Sequence, residues 1–537
     1  MPLELQRREL ESLPKLAWLA AYDRAAGRVV VLHGPGVEGR EDWVVEGVWD
    51  GDFALGAFHR SDHFFGSGVR LEGDRAYFVP SRALVDRLLY CVQGRSVLVS
   101  NSLALLLAHT GARLDPAHDY RVEGRAIRQG VRCYDRRFVV RHPDIACFCQ
   151  VYHDRLVVDG GEISFVRPPP APRLTSFAQY RDLLTSALGR IRDNYAARDR
   201  RRPMSAVGTL SSGYDSPAVA ALLQGLGVDV YFTSRKSNSH VPRWLSRRAA
   251  MDDGKPIADA LGLNVVHLRK PDRTVTEDEL YFLAPSCGQP ALVFHSMVAH
   301  LEANCAAAVV FTGFQGDYAW DVNVERKYLN EELAGNDTSG LALSEIRLKS
   351  GFINVAVPYM FAERIADLVA IAESPEMRPY RVYTDYDRPI PRRIAEEAGV
   401  PRGAFALRKK AVVQAYDYPV NHRLRAAFFR FVRTETGRAP WFVYLHSVLN
   451  RAAFLAVGAA RKLRLSPMSS DPTPRVLFGK RYDFPQLLFR WAAQVLSERA
   501  AGVLATQSGP VIRPILAPPP SPARRALRVA EPPGSRL

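Results

Sequence analysis

Cysteine is scarce in this sequence, with 6 residues among 537. The cysteines lie at positions 91, 133, 147, 149, 287 and 305, and Cys147 and Cys149 form the only close pair. No second pair and no histidine cluster completes a zinc-ligand pattern. We therefore expect buried free thiols and no metal–thiolate site.

Long apolar runs are also missing, since none approaches the ~18 residues that span a bilayer. Leu103–Ala108 is too short, and the stretch around Phe454 is flanked by Arg451 and Arg461. The opening residues, MPLELQRREL, contain acids and lack the apolar core of a signal peptide. We expect a cytoplasmic location and no membrane partner.

Acidic residues are outnumbered, with 56 Asp and Glu against 72 Lys and Arg, which gives a formal net charge of +16. Such an excess can indicate an acidic partner such as nucleic acid. The arginines are scattered along the whole chain, which favours a solvated basic surface, so a nucleic-acid partner is not expected. The segment 507–537, rich in proline and arginine, is expected to be a disordered tail.

The most informative stretch is Met204–Leu226, which reads MSAVGTLSSGYDSPAVAALLQGL. Its pattern predicts a buried strand up to Leu210, a small-residue turn, and an apolar helix with Ser216 as its cap and Pro217 in the first position. Backbone amides at such a helix start can bind a phosphate.

Asp215 is unexpected beside a phosphate site, because a carboxylate repels phosphate unless a divalent cation lies between them. We therefore interpret Asp215 as a Mg²⁺ ligand. The alternative is an ordinary helix cap, since Ser and Asp are common at helix starts.

Strand and helix patterns alternate after this loop. Strands are predicted at 228–233, 264–268 and 306–312, and helices at 252–261 and 290–304. This alternation indicates an α/β fold with a doubly wound parallel sheet, whose ligands bind at the carboxyl ends of the strands. A second loop, Thr312–Tyr318, follows the fourth strand and carries Gly313 and Asp317.

Both loops match patterns of known enzymes. The first resembles the Ser-Gly-Gly-x-Asp-Ser loop of the ATP pyrophosphatases, although Ser212 replaces a glycine. The second resembles the Ser-Gly-x-Gly-x-Asp-Glu loop of the asparagine synthetase family; Phe314 and Tyr318 stand where that family carries glutamates. The matching residues are Ser211, Gly213, Asp215, Ser216, Thr312, Gly313 and Asp317.

The front of the chain reads as short strands and turns, with a helical segment expected at Arg82–Tyr90. Gly51-Asp52-Phe53-Ala54 is similar to a segment of the asparagine synthetase glutaminase domain. That domain uses an amino-terminal cysteine as nucleophile. Here Met1 is followed by Pro2 and the first cysteine is Cys91, so we expect no glutamine hydrolysis.

The resemblance implies a domain plan. Residues 1–170 would form a degenerate, Ntn-glutaminase-like α+β domain, and residues 174–500 a synthetase domain of the adenine nucleotide alpha hydrolase-like type. Residues 507–537 would form the tail. The apolar stripe that includes Trp441, Leu445 and Val448 is expected to be core.

The resemblance also implies a function, an ATP-dependent ligase that activates a carboxylate as an acyl adenylate. Ammonia or a substrate amine would then form the amide. The carboxylate belongs to a small molecule or a peptide, and a homodimer is compatible with the sequence. A tRNA-modifying adenylating enzyme, a non-catalytic nucleotide-binding protein and a scaffold are the alternatives.

Site residues follow from the same resemblance. Asp215 and Asp317 would hold Mg²⁺, and Lys410, with Lys409 a near equal, would supply a catalytic cation within the segment Arg408–Lys410. The residues implied in ATP binding are Leu210, Ser211, Ser212, Gly213, Asp215, Ser216, Thr312 and Gly313.

Overall fold

The structure is a computed structural model of the chain. The described residues are 2–236, 252–288, 290–323, 329, 332–333, 340–406, 416–449, 452 and 483–507.

The front of the chain is built from strands. In chain order they are β1 Glu4–Glu9, β2 Trp18–Asp23, β3 Arg28–His33, β4 Glu38–Gly39, β5 Trp43–Trp49, β6 Phe64–Glu72, β7 Arg75–Val79, β8 Leu88–Gln93, β9 Ser96–Ser100, β10 Arg137–Val139, β11 Cys147–Val151, β12 Arg155–Asp159 and β13 Glu162–Val166. One sheet has the order β1-β3-β2-β9-β8-β11-β10 and the other β13-β12-β7-β6-β5-β4.

The two sheets stack face to face and bury apolar side chains between them. Trp18 and Val99 of the first sheet share a buried cluster with Val69 and Phe78 of the second. The region is therefore a sheet-on-sheet layer, and the prediction of short strands is confirmed for it.

The helical segment expected at Arg82–Tyr90 is wrong. Leu88–Gln93 is a strand that pairs with its neighbours on both sides, and the residues before it form turns. Polar partners keep these turn residues out of a helix: Asp86 pairs with Arg347, and the Arg87 side chain donates to Gln150. Contacts between distant residues override the local helical pattern here.

The helices lie mostly in the second half of the chain. They are α1 Leu103–Thr110, α2 Arg121–Ala126, α3 Phe177–Tyr195, α4 Asp215–Leu222, α5 Lys255–Leu261, α6 Glu279–Leu283, α7 His295–Asn304, α8 Gly316–Ala319, α9 Ser344–Ser350, α10 Ile365–Glu373, α11 Pro389–Glu397, α12 His422–Thr436, α13 (residues 440–449) and α14 Phe484–Gln507.

A third sheet carries the candidate site. Its strands are β14 Met204–Leu210, β15 Val228–Thr233, β16 Val265–His267, β17 Ala307–Thr312 and β18 Phe352–Ala356. The order is β16-β15-β14-β17-β18, and every pair is parallel. Helices α3 and α4 share a cluster with one face, and α7 with the other. The predicted α/β class with a parallel sheet is confirmed.

The strand order places a topological switch beside β14. From β14 the chain winds outward through β15 and β16, and it then crosses back to place β17 on the other side of β14. Ligands of open α/β sheets bind in the crevice at the carboxyl ends of the strands at such a point. The loops after Leu210 and Thr312 border this crevice.

Buried ion pairs join the third sheet to the front region. Arg347 of α9 pairs with Glu46 of β5 and with Asp86. Burial raises the pKa of Asp86 to about 6 in spite of the neighbouring guanidinium. The two carboxylates outweigh the burial of Arg347 and raise its pKa. Helix α14 packs against α1, so the chain returns to the front region.

Helix α13 turns a different face to the core from the one predicted. Trp441 is 62% exposed and Val448 is 63% exposed, whereas Phe442 and Val443 are buried. His446 contacts the ring of Phe484, with 4.8 Å between ring centroids. The predicted stripe is therefore wrong for the described part of α13.

Among the described helices, none combines the length and the apolar character that a membrane crossing needs.

Candidate functional site

The loop between β14 and α4 is stabilised by its own serines. The Ser211 N–H donates to Ser216 Oγ at 2.9 Å, and the two hydroxyls are 3.0 Å apart. Helix α4 begins at Asp215, so Pro217 lies in the third position and Ser216 inside the first turn. The predicted cap is thus wrong, and the Ser216 hydroxyl closes the loop instead.

The backbone amides of this loop all have acceptors within the protein. The Ser212 N–H donates to Asp252 Oδ1 at 3.2 Å, and its hydroxyl donates to the same oxygen at 2.8 Å. The Gly213 N–H donates to Ser211 Oγ at 3.2 Å, and the Tyr214 N–H donates to the Tyr386 hydroxyl at 3.3 Å. A phosphate bound to these amides would replace acceptors that are already present.

Ser212 does not need to be glycine in this fold. Positive φ occurs among the described non-glycine residues at His153, Gln315, Leu333, Phe361 and Tyr383, and Ser212 is outside that set. The serine therefore introduces no backbone strain, and its hydroxyl gains a charge-assisted hydrogen bond to Asp252.

The second loop follows β17. The Thr312 hydroxyl donates to Asn354 Oδ1 of β18 at 3.0 Å, which fixes the end of the strand. Gln315, where the synthetase pattern has its second glycine, adopts a left-handed conformation with φ of 67°. The loop therefore keeps a conformation that glycine adopts most easily, although its sequence departs from the pattern.

The two loops touch through glycines. A Cβ on Gly316 would lie 2.3 Å from Asp215 Cγ, and a Cβ on Gly313 would lie 2.9 Å from the Ser216 nitrogen. Asp317 is the next residue after Gly316, and its charge, like that of Asp215, acts on Arg388. The predicted meeting of the two loops at adjacent strand ends is what the structure shows.

The guanidinium of Arg388 lies next to the carboxylates of this site. Arg388, the residue before α11, has an ion pair with Asp215 and a second one with Asp321 at 3.3 Å. Its side chain is only 2% exposed. Although burial opposes the charge, the negative charges of Asp215, Asp317 and Asp321 nearby raise the pKa of Arg388.

Aromatic side chains wall the same site. The rings of Tyr214 and Tyr386 stack with centroids 4.8 Å apart, and Phe405 lies 5.2 Å from Tyr214. The Arg388 guanidinium lies 4.7 Å from the Tyr386 ring centroid. Burial raises the pKa of Tyr386, so the phenol keeps its proton.

The residues of the site fit a magnesium ion that is bound together with phosphate. Mg²⁺ usually takes one or two protein carboxylates and completes its shell with water and substrate phosphates. Asp215 and Asp317 would be the two carboxylates. The described residues contain no cluster of three or more His, Cys, Asp or Glu side chains arranged to hold a metal. Arg388 donates to Oδ2 of Asp215, so an ion bound to this carboxylate would share it with Arg388.

Several site residues were not predicted. Asp252 lies just before α5, and Asp321, Tyr386 and Arg388 come from two further loops. They reach the site through the fold, and no local pattern marks them. The predicted catalytic lysines, Lys409 and Lys410, lie outside the described residues.

The cysteines are all free, but only Cys91 and Cys287 are buried, and Cys133 is exposed. The expectation of buried thiols is therefore wrong for the other four. Burial raises the pKa of Cys91 to about 12, so this thiol is protonated at neutral pH.

A separate cleft of about 470 Å³ lies between β1, β3 and the chain before β14. Its acids are matched by arginines: Glu9 pairs with Arg201 at 2.5 Å, and Asp199 pairs with Arg40. This internal compensation leaves little charge for a ligand, so the loops after β14 and β17 are the better candidate.

No family model matches the chain, and a search of the curated proteins found no match. Function is therefore inferred from the geometry of the site.

Proposed function

We propose that this chain is an ATP-dependent, AMP-forming ligase that makes an amide bond and resembles the asparagine synthetases. The parallel-sheet region would be of the adenine nucleotide alpha hydrolase-like type, and the front sheets would be a degenerate glutaminase-like domain. One observation carries the proposal. Two loops with the predicted glycines and aspartates meet at the switch point of the sheet, with Asp215 against Gly316.

The reaction would begin with attack by a substrate carboxylate on the α-phosphorus of ATP, which gives an acyl adenylate and pyrophosphate. Ammonia or a substrate amine would then attack the acyl carbon and release AMP. Bound Mg²⁺ would neutralise phosphate charge. Orienting the carboxylate against ATP can supply roughly 7–11 kcal/mol of the barrier, so no protein nucleophile is needed.

The residues of the chain have separate parts in this scheme. The Ser211–Ser216 loop would hold the phosphates through its amides and hydroxyls, and Asp215 and Asp317 would hold the magnesium. Tyr214, Tyr386 and Phe405 form a buried aromatic cluster on one side. This cluster would help to exclude water from an acyl adenylate.

A non-catalytic nucleotide-binding protein is the second candidate. It is favoured by the internal acceptors of the loop amides and by the ion pair between Arg388 and Asp215. A tRNA-modifying adenylating enzyme would share the phosphate loop and would account for the net charge of +16.

Exchange of labelled pyrophosphate into ATP separates the candidates. A panel of amino acids and short peptides would serve as the carboxylates, each with Mg²⁺ and the full-length protein. The ligase predicts exchange that depends on one class of carboxylate. ATP binding without exchange for any carboxylate would support the non-catalytic protein, and salt-sensitive tRNA binding would support the third candidate.

A further inference from the structure

Arg388 is a buried cation at the point where the two loops meet. It lies against Asp215 and Asp321, and Asp317 is close enough to raise its pKa. Three carboxylates and one guanidinium leave this region with excess negative charge. A polyphosphate would enter such a place only if cations compensate both its own charge and that of the carboxylates.

Two cations would compete for the Asp215 carboxylate. Its Oδ2 accepts a hydrogen bond from Arg388 Nη1, and the proposed function makes the same carboxylate a magnesium ligand. Two cations on one carboxylate compete for its negative charge, so magnesium at Asp215 would weaken the ion pair with Arg388.

The Arg388 guanidinium lies beside the phosphate loop. Asp215, which pairs with Arg388, is the first residue of α4 and directly follows the loop. The Arg388 guanidinium lies over the Tyr386 ring, and the Tyr386 hydroxyl accepts a hydrogen bond from the Tyr214 N–H of the loop. A guanidinium offers a planar set of donors that matches phosphate oxygens, and stacking on Tyr386 fixes its plane.

We propose that Arg388 is a polyphosphate-binding residue of this site, held by Asp215 and Asp321 in the nucleotide-free protein and transferred to the pyrophosphate part of Mg-ATP when magnesium takes Asp215. The proposal rests on the proposed function, because it requires Mg-ATP at this site. It adds a cation that the sequence did not indicate and assigns it to one part of the nucleotide.

The test measures binding of three probes, Mg-ATP, Mg-pyrophosphate and AMP, to the full-length protein by calorimetry. Arg388→Gln should weaken binding of Mg-ATP and Mg-pyrophosphate about tenfold or more, since a hydrogen bond to a charged group is lost for each. Binding of AMP should change less than about twofold. Arg388→Lys keeps the charge without the planar donors and should give an intermediate loss.

Asp321→Asn separates ligand binding from a structural role. It removes one anchor of Arg388 but not the guanidinium, so affinity for Mg-pyrophosphate should be unchanged or higher. A purely structural ion cluster would make Asp321→Asn and Arg388→Gln weaken binding alike, and that result would overturn the proposal. Arg393→Gln is the matched control, since Arg393 lies on α11 and pairs with Glu376 and Glu397 away from the site.

The outcomes for the two proposals differ. If the wild-type protein binds neither Mg-ATP nor Mg-pyrophosphate, the proposed function is wrong. If the wild type binds both and Arg388→Lys and Arg388→Gln bind them equally well, only the role of Arg388 is wrong. Thermal unfolding of each variant identifies one that does not fold; Arg388→Lys, which keeps the buried charge, then decides the outcome.

Discussion

Gly316 shows how one missing side chain allows the site to form. Its backbone approaches Asp215 so closely that a Cβ would lie 2.3 Å from the carboxyl carbon. Its φ is not positive, so close approach and not backbone conformation explains the glycine. At this scale the sequence predicted correctly that the loops after β14 and β17 meet. It gave no sign of Arg388 or Asp252, because these side chains arrive from other loops.

Gly316→Ala should therefore push the two loops apart. Overpacking of this kind costs about 1–3 kcal/mol in the free energy of unfolding, and we expect Mg-ATP affinity to fall about tenfold or more with the loss of geometry. Denaturant unfolding and calorimetric titration measure the two effects.

The matched control is Gly189→Ala in α3, where a Cβ would meet nothing within 4 Å. Alanine is favoured over glycine inside a helix by about 1 kcal/mol, so this variant should be more stable and bind nucleotide as the wild type does. Wild-type affinity in Gly316→Ala would contradict the close meeting of the loops.

The loop between β14 and α4 is the element on which the proposed function depends. The sequence predicted its strand and the strands and helices that follow, because periodic apolar patterns are strong there. It failed at Arg82–Tyr90 and at the face of α13, where pairing between distant residues decides. It also misplaced the start of α4, since the Ser216 hydroxyl bonds Ser211 and does not cap the helix.

Asp252 accepts hydrogen bonds from the Ser212 N–H and hydroxyl, which are groups that a bound phosphate would also use. Asp252→Asn removes the charge and keeps a carbonyl oxygen that can accept from Ser212. We expect the free energy of unfolding to fall by about 1–2 kcal/mol, and Mg-ATP affinity to rise a few-fold because one repelling charge is gone. Titration of nucleotide and denaturant unfolding are the measurements. A fall in affinity would mean that Asp252 holds the loop in its binding shape.

The molecule as a whole is joined across its sheets by buried charges. Glu363, between β18 and α10, accepts from His153 and from Arg82 of the front region, each at 3.0 Å. Although burial opposes ionisation, the bond to His153 and the charge of Arg82 lower the pKa of Glu363 to about 2. Its ordinary value in the unfolded chain is 4.5. These pairs connect parts of the chain that no local pattern relates.

The lowered pKa of Glu363 determines how the free energy of unfolding changes with pH. Glu363 contributes stability that is fully present above about pH 4.5 and is lost as the pH falls toward 2. Glu363→Gln should lower the free energy of unfolding near pH 6.5 by about 2–3 kcal/mol and should flatten its fall between pH 4.5 and 3.

Denaturant unfolding at a series of pH values measures this difference. Asp159→Asn, which removes an exposed pair with Arg75, is the control and should change stability by less than about 1 kcal/mol. Parallel pH profiles for the wild type and Glu363→Gln would contradict the role of this link.

The central claim is that Asp215 and Asp317 hold one magnesium–nucleotide site, and calorimetric titration of Mg-ATP tests it most directly. The wild-type protein should bind one equivalent, and binding should depend on magnesium. Asp215→Asn and Asp317→Asn should each fold, as judged by circular dichroism, and lose both Mg-ATP binding and pyrophosphate exchange. Undiminished binding and exchange in either variant would contradict the claim.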